Sequence, residues 1–582
     1  MPIVVDDNKP WDWWWLPRFT HPFKSRPDIA VPYFNVTITD QARVAPGYLF
    51  LSPFGSALSG PLIYDSAGQL IWASSEAYSA QDNHGPHIYD FHPCNYADTQ
   101  RPEHDYHLCM NRGINDGGSS RGEGLILGDD YQLRRGVQFN GSSTSIDIHE
   151  FALIDAGTAA IVTQYRPALT DLSAFGMPGV GYVFDSTFQE QRLSDGAVLF
   201  DWRSLDHVGV EETNVTFFGG MGHEPWDYFH INSIKKLADG SGDYLVCARH
   251  TSAVYRISGK DGSIVWRLGG TQSDFKLVHS GGPADQSNER LLKWFHFPHD
   301  ANLLSSKDGI DTISLFDNGR TPNQHLAPFS RALIIDINVL QKTAEITKEF
   351  FTPTSIQQTE VAGSTRVLPN GNVLVGWGKT GCLSEYTANG EPVFEACILD
   401  EGSPALYRVY KEENWVGKPS SRPSLTSYSK QGNMTAAYVS WNGATEVSRW
   451  KLYGGRNGAE KDKLIWQPIT ENLKDGFETV LGPLPEFWAY VYAEAIGTSG
   501  EVLGETEITT TYVPAQIYDG CDDLWCTPSI VIHMNDEPEQ TSRYSVGISE
   551  DPYFSSSVYA MMPAVLLVVG YVSRVWWRRV KT

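Results

Sequence analysis

Apolar and polar positions alternate in short runs along most of the chain, and sustained helical periodicity is almost missing. One unit recurs: a strand, a polar turn, then two or three apolar strands, the last turn carrying Gly and the last strand often ending in an aromatic. Its closing pieces are YDSAGQLIW (64–72), GDDYQLRRGV (128–137), LSDGAVLFDW (193–202), SGKDGSIVWRL (258–268), IDINVLQKTAEITKEF (335–350) and YTANGEPVFEACI (386–398). Six units at this spacing predict an all-β fold led by a six-bladed β-propeller over 45–415, with each innermost strand lining a central channel.

The pattern changes after a Pro/Ser linker at 416–424. Residues 425–515 alternate as in a β-sandwich of fibronectin III or Ig type. An aromatic-rich segment (1–44) precedes the propeller, and an irregular stalk (516–555) follows the sandwich. The run at 556–577 is apolar enough for a C-terminal transmembrane helix, ends in Trp576 and Trp577, and leads into a basic tail at 578–582.

Composition adds a direction. With 69 acidic against 45 basic residues the net charge is −24, which argues against nucleic acid as a partner. The N-terminus has no basic region followed by an apolar one, which read literally means a tail-anchored cytosolic body. Three features favour a single-pass protein with a lumenal or extracellular body instead. Basic residues follow the apolar run. Asn35, Asn140, Asn214 and Asn433 head glycosylation sequons. The spacings of Cys382 with Cys397 and Cys521 with Cys526 suit bridges, with Cys94 and Cys109 a third possible pair and Cys247 left over in a buried strand.

Candidate chemistry lies at the starts of the innermost strands. Aligned on their turns, these read His149-EFALIDAG, His230-INSIKKLADG, His299-DANLLSSKDG and Gly363-STRVLPNG. Equivalent corners of a propeller face one axis, so the three histidines are expected to converge at the channel mouth beside Asn232, Ser233 and Asn302. Neighbouring strand ends add Arg249, His250, Asp317, Asn318, Arg320, Arg331 and Trp377. Each alone has a plain structural reading: a histidine at a strand start is commonly a hydrogen-bonded turn residue, Arg249 and Arg331 could bridge blades, and His296 is expected to pack among aromatics. Three histidines suggest Zn²⁺ or Fe²⁺, but they come from separate blades with no paired carboxylate evident, so neither metal nor cofactor is expected. A nucleophile elbow, a P-loop and a dinucleotide fingerprint are absent.

WDYFHINSI, ARHTSAVYRISGKDGSIVWRLGG, FPHDANLL, SLFDNG, LPNGNVLVGWG and VSWNGATEVSRW, in that order, resemble the arylsulfotransferase (ASST) family, most closely its fungal branch. The resemblance implies a six-bladed propeller with the active site in its channel and sulfuryl transfer between small aromatic molecules without a nucleotide donor; secondary metabolism is the expected setting for such an enzyme. Carried over to this chain, it makes His230 and His299 active-site histidines and Asn302 and Arg331 sulfate ligands, with Arg249 or His250 in support. The bacterial pattern carries its sulfated histidine before the NGN turn; here that stretch is VAGSTRVLPNGN and holds none. Two other readings therefore stand beside it: a membrane-anchored, non-catalytic ligand-binding propeller, and a different His-dependent enzyme, such as a hydrolase or cyclase, on the same channel.

Overall fold

The computed structural model describes residues 20–513, interrupted at 22, 57–58, 75–85, 100–105, 117–118, 178, 218–224, 279–293, 354–357, 400–401, 431–433 and 457–464. The architecture is all-β. Among the described residues, six sheets of four to six strands and one two-stranded sheet (Pro53–Ser56 with Gly402–Leu406) precede the linker; all pairs are antiparallel except Lys276–Val278 with Thr343–Phe350, and the hairpins anticipated from the closing pieces form strand pairs in each of the six.

The fourth sheet shows why the sequence folds this way. Its strands Ile231–Lys236, Tyr244–Ala248, Ala253–Ile257 and Ile264–Gly269 pair in order. Tyr244–Ala248 is buried at every position because both faces of the sheet are covered. Tyr244, Val246 and Ala248 enter one apolar cluster with Phe188 and Trp202 of the preceding sheet. The alternate residues Leu245 and Cys247 enter another with Leu315 and Leu333 of the next. The period-2 pattern thus welds each sheet to its neighbours.

The series closes on itself in two places. Tyr410–Glu412 pairs with Tyr48–Leu51, giving the first sheet its innermost strand from the end of the series. Val31–Thr39 pairs with Pro392–Leu399 and so belongs to the sixth sheet, although its place in sequence is in the segment before the propeller. The linker leads to a pair of sheets built from Ser424–Lys430, Met434–Ser440 and Glu478–Leu484 on one side and from Ile465–Leu473, Arg449–Arg456, Tyr490–Ile496 and Val502–Glu505 on the other. Between them lie Val439, Trp450, Leu452, Leu481, Trp488 and Val491. Tyr131 of the second sheet donates to the Gly443 carbonyl (2.7 Å), tying this sandwich to the series.

Cys94–Cys109 and Cys382–Cys397 are disulfides, and Cys247 is a buried thiol. Cys521, Cys526, Asn433 and the apolar run at 556–577 lie outside the described residues. No helix among the described residues is long and apolar enough to cross a membrane. Asn140 is exposed, whereas Asn35 sits half-buried within a strand and the half-buried Asn214 donates its amide to the Thr251 carbonyl (2.8 Å).

Candidate active site

The innermost strands of the second to sixth sheets begin at His87, Phe151, Ile231, His299 and Ser364. His149, His230 and His299 therefore enter from three consecutive sheets, and all three are buried. The His149 and His230 rings meet edge to face with centroids 4.7 Å apart, and His250 lies 4.6 Å from His230. Tyr165 stacks on His149 and stands at the same 5.5 Å from His230. His230 has a left-handed backbone (φ 61°), and its carbonyl accepts from the Arg249 amide at 2.9 Å. A non-glycine residue held there costs about 1–2 kcal/mol, which the surrounding structure must offset.

Each of the three imidazoles is anchored through Nδ1. His149 Nδ1 bonds Asp147, and His230 Nδ1 bonds Asp227. His299 Nδ1 stands 2.6 Å from Asn318 Oδ1, while Asn318 Nδ2 donates to the Thr359 and Ala362 carbonyls at 3.0 Å. Those two bonds fix the amide with its oxygen toward the ring, so His299 carries its proton on Nδ1 and its lone pair on Nε2. A carboxylate behind the ring sets the same tautomer in His149 and His230. Burial pushes the His230 and His299 pKa values well below the ordinary range, with the Arg249 charge adding to the effect, so both rings are neutral at neutral pH. Burial takes His250 down to about 3 and raises Asp227. Burial also opposes ionisation of Asp147, but the facing His149 outweighs it and holds that carboxyl below its usual value.

Arg249 is the cation of this cluster. Its Nη1 contacts His250 Nε2 at 2.9 Å and its Nη2 donates to the Glu360 carbonyl at 2.7 Å, while Nε has no hydrogen-bond partner among the described residues. Among the described residues no carboxylate lies within 4.0 Å of it, unlike Arg331, Arg366 and Arg408. Asp227, His230 and His250 bring possible metal-ligand atoms within 4.8 Å of one another. The Arg249 guanidinium faces the Nε2 of His250 and both Nδ1 atoms face Asp227, while Asp227 Oδ1 has no hydrogen-bond partner among the described residues.

The residues singled out in sequence divide into two groups. His149, His230, His299, Arg249, His250 and Asn318 come together. Asn232 is buried beside them with its amide on the Pro298 carbonyl (2.6 Å). Arg331 does not join them: it is buried between Asp317 (2.8 Å) and Glu349 (3.1 Å). Asn302 is bound to Arg366 (3.1 Å) and to the Asp300 carbonyl (2.7 Å). Trp377 is core, packed on Phe316 and donating to Ser384. The place where a late histidine would stand is closed: a Cβ on Gly363 (φ +116°) would lie 2.4 Å from the Phe316 ring.

Sequence reading found no paired carboxylates, yet Asp147 and Asp227 back two of the histidines. Their signal was local, Asp two residues before His149 and three before His230. Arg408 is buried beside this cluster. It donates to Asp90 (2.7 Å), both oxygens of Glu150 (3.3 and 3.1 Å) and the carbonyls of His149 (3.1 Å) and Asn232 (2.6 Å), and lies 3.5 Å from Asp300. Lys235 pairs with Glu150 (3.1 Å) and Arg366 with Asp300 (2.6 Å). Three cations thus face three carboxylates beside the histidines, and the Tyr407 hydroxyl shares the His149 and Asn232 carbonyls with Arg408.

Residues 122–398 match the arylsulfotransferase (ASST) family. The matched stretch contains the three histidines, Arg249, Asn318 and both backing carboxylates, and stops short of Arg408. No curated protein matches the chain. Among solved structures, a Bacteroides caccae protein of unknown function is 12% identical over 63% of this chain and 98% of its own, with TM-score 0.34. A catalytically inactive virginiamycin B lyase from Staphylococcus aureus, with quinupristin, is 11% identical over 61% and 82%, with TM-score 0.26. A Bombyx mori β-fructofuranosidase of glycoside hydrolase family 32 is 8% identical over 74% and 89%, with TM-score 0.26. At these TM-scores no residue or reaction is transferred from them.

Proposed function

We propose that the protein is an arylsulfotransferase-like enzyme whose six sheets act as a six-bladed propeller, with sulfuryl transfer between small aromatic molecules at the histidine cluster. The observation that carries this reading is Arg249, a buried guanidinium with no carboxylate within 4.0 Å among the described residues, set among imidazoles that present Nε2. A buried cation of this kind is completed by an anion, and a sulfate ester supplies one whose charge on three oxygens grows accessible to fixed donors during transfer.

His299 is the nucleophile in this scheme. Its backing group is a neutral amide, which orients the ring without strengthening it as a base, so the sulfurylated ring is a good leaving group. Nε2 attacks sulfur, an N–S bond forms and the S–O bond of the donor breaks, releasing the phenolate. In the second half, carboxylate-backed His230 or His149 takes the acceptor's phenolic proton, the acceptor oxygen attacks sulfur, and the N–S bond breaks. The two disulfides support folding in an oxidising compartment, and 556–577 is the proposed membrane anchor.

The test is intact-protein mass spectrometry of the full chain with p-nitrophenyl sulfate at mildly alkaline pH. A sulfuryl-sized adduct that maps to His299 and disappears on adding a phenol is expected; no adduct and no sulfated phenol from folded protein would defeat the reading. The filled position at Gly363 favours a second reading, a non-catalytic ligand-binding propeller, which predicts saturable binding of the sulfate ester without turnover.

A pH prediction follows. With the His230 and His299 pKa values lowered, both rings stay neutral below the ordinary histidine range. The acid limb of kcat/KM is therefore expected well below pH 6.5, the value for an unperturbed histidine. Stability has the matching sign: these rings protonate more readily when unfolded, so it is complete above the ordinary histidine pKa and falls as the pH drops below it. Thermal unfolding between pH 7 and 5 measures this.

A further inference from the structure

The third sheet contains a hairpin longer than its neighbours need. Ala159–Asp171 and Val180–Arg192 pair over 13 residues, whereas the innermost strand beside them is only Phe151–Ile154. The excess length continues past the histidines. Its register places Tyr165 opposite Ser186, Pro167 opposite Phe184, Leu169 opposite Tyr182 and Asp171 opposite Val180. Cross-strand partners and alternate residues share a face, so Tyr165, Pro167, Phe184, Leu169, Tyr182 and Val180 form one stripe.

That stripe begins at the site, since Tyr165 stacks on His149 and lies 6.3 Å from Phe184 by ring centroids. The opposite face is already spent: Val183 is fully buried and pairs with Trp226, which packs on Phe175 and Phe217. Trp226 shares Val183's face, so the next residue, Asp227, falls on the stripe's side together with the histidine it anchors. Exposure rises steadily away from the histidines: Tyr165 is buried, Phe184 half-buried, and Leu169, Tyr182 and Val180 are 58, 58 and 65% exposed. Polar residues would be the ordinary choice for such positions on a solvated hairpin.

We infer that this stripe is the binding wall for the apolar body of the substrate, and that the substrate is an elongated aryl compound, multi-ring or long-tailed, rather than a single-ring phenol. From Tyr165 to Leu169 the wall rises about 13 Å at roughly 3.3 Å per residue, well beyond one ring. This rests on the proposed site but not on its reaction. Its continuity with the histidines through Tyr165 argues for a ligand that also occupies the site, rather than for a second protein.

The test compares 4-phenylphenyl sulfate and 2-naphthyl sulfate with phenyl sulfate on the full chain, by calorimetric binding as well as by turnover. The two-ring esters are expected to bind at least tenfold more tightly than the single-ring ester, and Leu169→Ser/Tyr182→Ser to reduce that preference roughly tenfold. Leu340→Ser, which removes an 83% exposed leucine elsewhere, should leave the preference unchanged. Hairpin-dependent preference in binding without turnover would sink the sulfotransfer reading and keep the wall. Equal affinity for all three esters, or a preference that survives the double substitution in a folded variant, overturns the wall whatever the turnover. Loss of the preference in the Leu340 variant as well would overturn it too.

Discussion

His299→Ala is expected to abolish the sulfuryl adduct and lower turnover by about 10³-fold or more, because the variant loses the covalent step rather than a binding contact. The fold should survive. The side chain is one partner of one hydrogen bond, and its loss leaves Asn318 Oδ1 unsatisfied at a cost of about 1–3 kcal/mol. Turnover with p-nitrophenyl sulfate and peptide mapping of the trapped adduct measure the effect, with thermal unfolding as the check on folding. An adduct that persists in His299→Ala but is lost in His230→Ala would exchange the two roles. His230→Ala on the assigned roles keeps the adduct and slows its discharge to the acceptor, so the two variants separate the half-reactions.

The second large effect concerns Arg408. Arg408→Met deprives Asp90, Glu150 and Asp300, all buried, of their shared guanidinium and leaves Lys235 on Glu150 and Arg366 on Asp300. Burial weakens a cation, yet Asp90 and Glu150 outweigh it and hold the Arg408 pKa well above the usual value. Removing one partner of a single buried ion pair costs about 3–5 kcal/mol, and here one residue serves three acids, so about 5 kcal/mol or more is expected. That is comparable to the whole stability of many domains, about 5–15 kcal/mol. Loss of soluble folded protein, or a large fall in the urea midpoint, is the expected result. Glu150→Gln in the same chain should recover part of it by removing one stranded charge. An Arg408→Met protein as stable as its parent would show that the cluster is organised by the sheets alone.

The histidines were legible in sequence because three sheets place them at one repeated position, and repetition turns an uninformative residue into a pattern. The closing hairpins were legible for the same reason. Arg408 was not, since the acids it neutralises stand 108 to 318 residues away (408 − 300 and 408 − 90) and nothing local marks it. Arg331, carried over from the family resemblance, is the cross-strand partner of Asp317 and bonds to it, and Trp377, just past the end of Val373–Gly376, packs on Phe316. Asn302 lies three residues beyond His299, past a bulge that intervenes before it pairs with Ser314, and so bonds to Arg366. The carboxylates behind His149 and His230 could have been found from their spacing, had the search been for partners of each ring instead of pairs of acids.

The pairing of Tyr48–Leu51 with Tyr410–Glu412 sets an order of events during synthesis. The first of these strands leaves the ribosome some 360 residues before its partner, a wait on the order of 20 to 70 s at typical rates of roughly 5–20 residues per second. Throughout that interval the nascent chain carries an unpaired strand edge, and Asp90, Glu150 and Asp300 emerge in turn to await Arg408. Arg408 emerges just ahead of the strand that closes the first sheet, so charge neutralisation of these acids and completion of the series become one step. A ribosome-bound chain halted before residue 408 should accordingly be sensitive to protease along its whole length, and one halted well past 412 resistant.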